Sequence, residues 1–264
     1  MHALLWPILL AAALAATPAR ADGNVTVSFQ GRKLIVQGDA GDNDVTIEAG
    51  NGNEVVVSGN TGTTVNGGPS VVAVGVRGIR VFMGDGADRV SMQRMTVSGT
   101  LAVKLGRGND DFIASNVDVN GSLYVKGESG NDAIAVVNTF VAGDLTVQSG
   151  NGGSTIQIDT VTAEGYLTLA GGNGRDALTV YNFDGNPGKR ASISMGAGND
   201  SVDIQGATFD AFVDVEMGSG NDFLIVNDVF FDDGADFDGG SGHDDVFIGF
   251  ISWPDDEDVD FDGF

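Results

Sequence analysis

Between residues 90 and 248 the apolar side chains come in pairs separated by one position. The pairs return at a fixed interval: Val90/Met92, Phe112/Ala114, Ile134/Val136, Ile156/Ile158, Leu178/Val180, Val202/Ile204, Leu224/Val226 and Val246/Ile248. A second series, Leu101/Val103, Leu123/Val125, Leu145/Val147, Leu167/Leu169 and Val213/Val215, lies between them, with weaker pairs such as Val117/Val119 and Val161/Ala163. Spacing of two is the strand period, and no stretch repeats at 3.6. The step is 22 residues throughout except between Leu178 and Val202, where it is longer by two and contains Asn186-Pro187-Gly188. So strict a period marks a solenoid with one coil per repeat. The pattern predicts an all-β, single-stranded parallel β-helix with three short strands per 22-residue coil. A right-handed course follows from the general rule for parallel crossovers.

Glycine corners punctuate the strands. One column, Gly99, Gly121, Gly143 and Gly165, reads as a simple turn. The other is richer, as in Gly106-Arg107-Gly108-Asn109-Asp110 and Gly218-Ser219-Gly220-Asn221-Asp222, and ends on Asp88, Asp110, Asp132, Asp176, Asp200, Asp222 and Asp244. Ser154 stands at the one missing beat. Stacked coils would bring these aspartates within about 4.8 Å of one another, the strand spacing. Nothing basic repeats at the same interval to offset a column of carboxylates. Two readings of the corner stay open. The aspartates hold a cation, or each accepts amide hydrogen bonds of its own turn while Asn109, Asn131, Asn199 and Asn221 stack as an amide ladder.

The ends differ from the middle. Residues 1–21 combine an apolar run, Leu4 to Ala16, with Ala19-Arg20-Ala21, and read as a cleaved export signal too short to span a membrane. Residues 22–65 keep strand pairs such as Val45/Ile47 out of register and are expected to form an N-terminal cap and irregular coils; Gly41-Asp42-Asn43-Asp44 echoes the corner. Regular coils are expected over 66–250. An acidic tail over 251–264, with aromatics interleaved, is expected to fold across the end as a cap.

Charge narrows the partners. With 37 acidic against 13 basic residues the chain repels phosphate backbones, which argues against nucleic acid. No Lys or Arg follows Arg190. Without cysteine, an exported chain has its core, or a bound ion, for stability.

The corners resemble the hemolysin-type calcium-binding repeat, Gly-Gly-x-Gly-x-Asp-x-apolar-x. Gly171-Gly172-Asn173-Gly174-Arg175-Asp176-Ala177-Leu178-Thr179 and Gly239-Gly240-Ser241-Gly242-His243-Asp244-Asp245-Val246-Phe247 fit it fully. The resemblance implies Ca2+ between stacked corners, with Asp88, Asp110, Asp132, Asp176, Asp200, Asp222 and Asp244 as ligands. It covers only the corners, and family repeats recur every nine residues rather than 22. Here one edge alone could bind.

Enzymatic β-helices need a local cluster that breaks the repeat. The best candidate is an outward face of Tyr124, Lys126, Asp144 and Tyr166, near Lys104, Asp214 and Glu216, which could stack a sugar; His243 reads as turn filler. The expectation is therefore an exported, calcium-stabilised, non-enzymatic structural or adhesive module, with an extracellular polysaccharide or cell-surface partner. A carbohydrate-binding or carbohydrate-cleaving β-helix is the alternative.

Overall fold

A computed structural model describes residues 23–186, 188–254 and 258–264. The expected export signal, 1–21, and Asp255-Asp256-Glu257 of the tail lie outside them. The described chain is all β, with 28 strands in two 14-stranded sheets. Each coil gives one strand to each sheet, and each strand pairs in parallel with its equivalent 22 residues on. Thus Leu101–Arg107 pairs with Leu123–Ser129, and Asp111–Val119 pairs with Ala133–Val141. The two-residue insertion before residue 191 is absorbed at a corner, since Leu167 pairs with Ala191 and the ladder resumes.

The three predicted segments are present, and two of them belong to one strand. In Asp111–Val119, Asn116 takes φ 55°, a left-handed bend that splits the strand into 111–115 and 117–119. Arg94, Asn138, Thr160, Asn182 and Asp228 do the same in their coils, with φ between 48° and 56°. This third corner falls six residues after Asp88, Asp110, Asp132, Ser154, Asp176 and Asp222, with Gly206 (φ 61°) at the same place after Asp200. Asparagine and aspartate tolerate that conformation because their short side chains bond locally, whereas a β-branched residue such as Thr160 is strained there.

The paired apolar columns point inward and form one continuous core. Val90, Met92, Leu123, Val125, Ile156, Ile158, Leu224 and Val226 are all essentially inaccessible to solvent. Towards the C-terminal end the core turns aromatic: Phe183, Phe209, Phe231, Phe237 and Phe261 follow one another with ring centroids 4.7 to 5.8 Å apart.

Both ends differ from the regular coils. Residues 33–37 and 44–49 form a coil in register beneath Gly78–Asp85 and Arg89–Val97. The chain then leaves the helix. Glu54–Gly59 runs antiparallel to 44–49, and Ser70–Val74 antiparallel to 54–59, while Asn24–Gln30 folds antiparallel on 33–37. The N-terminal cover thus extends to Val74, because the irregular stretch after residue 49 is an inserted antiparallel detour. At the other end, Ile251–Ser252 and Val259–Asp262 add parallel strands to the two sheets. The interleaved aromatics follow the inside–outside alternation of a last coil: Phe237 is buried and Phe230, Phe247 and Phe250 face out.

Outside the first sheet, one column of side chains reads Arg80, Ala102, Tyr124, Thr146, Thr168, Ser192, Asp214, Asp236, Asp260 along the axis. The face passes from basic through neutral to acidic.

Candidate functional site

The corner geometry is built by glycine. Gly108 sits at φ 146°, and a Cβ there would stand 1.6 Å from the carbonyl oxygen of Gly86 in the coil below. Only glycine lets successive corners stack this closely. Their amides and carbonyls pair between coils, as in Gly130 N to Asn151 O at 2.8 Å.

That stacking turns the corner aspartates from Asp88 to Asp222 into the protein interior. Asp88, Asp110, Asp132, Asp176, Asp200 and Asp222 are at most 2% exposed. Each carboxylate reaches back one coil and accepts a backbone amide through Oδ1. Asp88 N donates to Asp110 Oδ1 at 2.7 Å, Asp110 N to Asp132 Oδ1 at 2.9 Å, and Asp200 N to Asp222 Oδ1 at 2.7 Å. The run continues to Asp244 Oδ1, which accepts from Asp222 N at 2.8 Å. The aspartates therefore do accept amides, but those of the neighbouring coil rather than of their own turn.

Two rungs are neutral. Ser154, at the missing beat, accepts from Asp132 N through Oγ at 3.1 Å and donates its own amide to Asp176 Oδ1 at 2.7 Å. At the N-terminal end the rung is Asn43, whose amide donates to Asp88 Oδ1 at 2.8 Å. The sequence echo at 41–44 is thus offset by one, since Asp44 pairs with Arg89 and starts a strand.

The other carboxylate oxygen is left over. Oδ2 of Asp88, Asp110, Asp132, Asp176, Asp200, Asp222 and Asp244 is buried without a hydrogen-bond partner. It lies against the buried position five residues earlier: a Cβ added to Gly127 would be 2.2 Å from Asp132 Oδ2, and one on Gly171 2.9 Å from Asp176 Oδ2. Met83, Leu105, Ser149, Met195 and Met217 fill that position in other coils, all fully buried. Burial among such groups disfavours the charged form. It pushes the Asp110 carboxyl up to about 7, and those of Asp88, Asp132 and Asp200 to about 6, against the lowering effect of the accepted amide. Asp176 and Asp222 are raised for the same reason.

Calcium takes six to eight oxygens. The ladder offers one orphan carboxylate oxygen per coil, the second being engaged by an amide. Among the described residues no three acidic or histidine side chains converge as a metal-holding group.

Beside the aspartates, a partly exposed ladder runs the other way. Asn109 Oδ1 accepts from Asn131 N, and Asn131 Oδ1 from Gly153 N, both at 2.9 Å; Asn199 and Asn221 repeat it towards His243. The asparagines thus bond side chain to backbone.

The proposed sugar face is spread over three coils. Tyr124 pairs across to Thr146, and Lys126 to Gln148, on the outside of the first sheet. Asp144 and Tyr166 lie at the preceding corner, where Tyr166 N donates to Asp144 Oδ1 at 3.1 Å. Lys189 Nζ sits 5.0 Å from the centroid of the Tyr166 ring. No known protein family, curated protein or solved structure matches the chain.

Proposed function

We propose that the protein is an exported, non-enzymatic β-solenoid that serves as a structural or adhesive rod outside the cytoplasm. The observation that carries this reading is the aspartate ladder: a backbone amide bonded to a corner side chain joins every coil from Asn43 to Asp244, through a carboxylate at every rung except Ser154. Export rests on the leader-like residues 1–21. Among the described residues no helix is long and apolar enough to cross a membrane.

The orphan oxygens need compensation, and two sources are on offer. The neutral rung Ser154 favours protons, because an uncharged acceptor fits the same place. The Gly-Gly-x-Gly-x-Asp corners favour calcium, which would lie along the ladder aspartates and supply positive charge. A melting series separates them. A calcium-held ladder gains stability from CaCl2 over NaCl of equal ionic strength and loses it to chelator, by RT ln(1 + [L]/Kd) per site. A proton-held ladder responds to acid alone. A rod whose stability ignores acid, calcium and the Asp110→Ala change alike would contradict the role given to the ladder. Detection of the chain outside the cytoplasm, starting near residue 22, tests export.

A further inference from the structure

The N-terminal hairpin and the detour meet the first regular coils along two clefts that share a wall. One, of about 430 Å³, is lined by Arg32, Lys33, Arg77 and Arg80, with Tyr124 at its far side. Its remaining polar side chains are Gln30 and Thr100, and no carboxylate lines it. The other, of about 900 Å³, shares Arg32 and Arg77 and adds Arg94, with Glu54 and Asp118 on its walls.

In a chain of net charge −24, four cations around one concavity without an acid are conspicuous. The ion pairs among the described residues are Arg89–Asp111, Arg94–Glu48 and Lys104–Glu128, so none of the four is spent on a carboxylate. Arg32 is steadied by its Nε–H donating to the Gly75 carbonyl at 3.2 Å. On the outward column, Ala102 separates Arg80 from Tyr124, leaving a gap of two coil steps, or ~9.6 Å, bounded by a guanidinium and an aromatic ring. Guanidinium forks match carboxylate and sulfate oxygens, and the size suits a small ligand.

We propose that this cleft binds an anionic saccharide, whose carboxylate or sulfate groups meet Arg32, Lys33, Arg77 and Arg80 while a ring packs on Tyr124 and hydroxyls bond Gln30 and Thr100. Sparse charge is the distinguishing chemistry. A nucleic acid carries a phosphate at every nucleotide, and its continuation would run along a face that ends in Asp214, Asp236 and Asp260. A saccharide with one acid group per ring or fewer can place its charges at the arginines and its neutral atoms elsewhere. The site uses none of the ladder residues and stands apart from the proposed structural role.

Calorimetric titration of the full chain tests it. The probes are hexagalacturonate, a κ-carrageenan hexasaccharide with one sulfate per two rings, neutral cellohexaose and a single-stranded DNA hexamer. At least one acidic saccharide binds, more tightly than cellohexaose and the DNA, and its affinity falls with salt. Arg77→Gln and Arg80→Gln each weaken it at least tenfold, whereas Arg175→Gln, the same charge change elsewhere, alters it less than twofold. Tyr124→Ala weakens binding without changing the salt dependence. Arg80 makes no side-chain hydrogen bond or ion pair among the described residues, so its variant serves even if Arg77→Gln does not fold. Equal loss in Arg175→Gln and Arg80→Gln, tighter binding of the DNA, or no preference over cellohexaose would each overturn the proposal.

Discussion

Asn131 and Asp132, neighbours in sequence, tie the chain in opposite directions. Asn131 Oδ1 accepts the amide of Gly153 in the following coil at 2.9 Å, while Asp132 Oδ1 accepts the amide of Asp110 in the preceding coil, also at 2.9 Å. At the Asn-Asp corners of Asn109, Asn131, Asn199 and Asn221, one exposed and one buried side chain therefore fix the stacking in both senses. The buried member carries the cost, because its second oxygen has no partner.

Removing and neutralising that carboxylate should have opposite effects. Asp110→Ala strands the buried Asp88 amide, which donates to Asp110 Oδ1 at 2.7 Å, and should destabilise by about 1–3 kcal/mol. Asp110→Asn keeps an acceptor and removes the charge, as Ser154 does naturally. At pH 8 it should melt no lower than the parent, and higher if the charge dominates. Urea unfolding of the two variants at pH 8 makes the comparison; equal destabilisation would refute the ladder's electrostatics.

Stability should fall as pH rises from 5 to 8. In the folded state Asp88, Asp132 and Asp200 titrate near 6 and Asp110 near 7, against 3.8 ordinarily. Between these values the folded chain holds protons that the unfolded chain has released. The slope of unfolding free energy with pH is then negative, and the contribution is full below about 4 and lost as pH passes the folded values. Exposed acids add a repulsion of the same sign, so the melts belong in 1 M NaCl, where that part is screened. A melting temperature independent of pH from 5 to 8 in high salt would contradict this. Asp110→Asn should flatten the slope.

Thr160 is the strained member of the third corner, at φ 55° with a β-branched side chain. Thr160→Asn should stabilise by roughly 0.5–1 kcal/mol, and Asn138→Val, at φ 48°, should cost about 1–2 kcal/mol. Denaturant midpoints with unchanged m-values would read the difference, and a reversed order would show that the bend tolerates branching.

Inward and outward positions of one coil should differ sharply. Ile158 is 0% exposed with coils on both sides, so Ile158→Asp buries an unpaired charge and should cost several kcal/mol. Thr168 lies on the outer column, and Thr168→Asp should change stability by about half a kcal/mol or less. Comparable losses in thermal melts would invalidate the assignment of faces.

The coil was legible in the sequence because its signals are strict. Two apolar residues flank one position in every coil, and glycine cannot be replaced where Gly108 meets Gly86 at 1.6 Å from a virtual Cβ. Even the missing beat at Ser154 proved to be a rung. The third corner was hidden because Arg94 and Thr160 mask the asparagine column, left-handed geometry being a preference there and not a requirement. The detour over 54–74 was hidden for another reason: its alternating valines suit parallel and antiparallel pairing equally. The direction of the ladder aspartates was beyond the pattern, since acidic residues in turns ordinarily face water. The basic cleft combines residues from 30 to 124, brought together by the hairpin turn at 30–33 and by the stacking of Lys33–Gln37 beneath Gly78–Asp85.

The axial hydrogen bonds also determine how the rod bears load. Each coil is fastened to the next by bonds parallel to the axis, so a pull on the two ends loads the coils in series. The weakest yields first, and the last strands, Asp245–Ile248, Ile251–Ser252 and Val259–Asp262, where Val246, Ile248, Ile251, Val259 and Phe261 are only half-buried, are the natural starting point. Each 22-residue coil that peels away releases about 70–80 Å of extended chain in exchange for ~4.8 Å of rod. Under tension such a molecule lengthens in equal steps and acts as a tether that yields gradually.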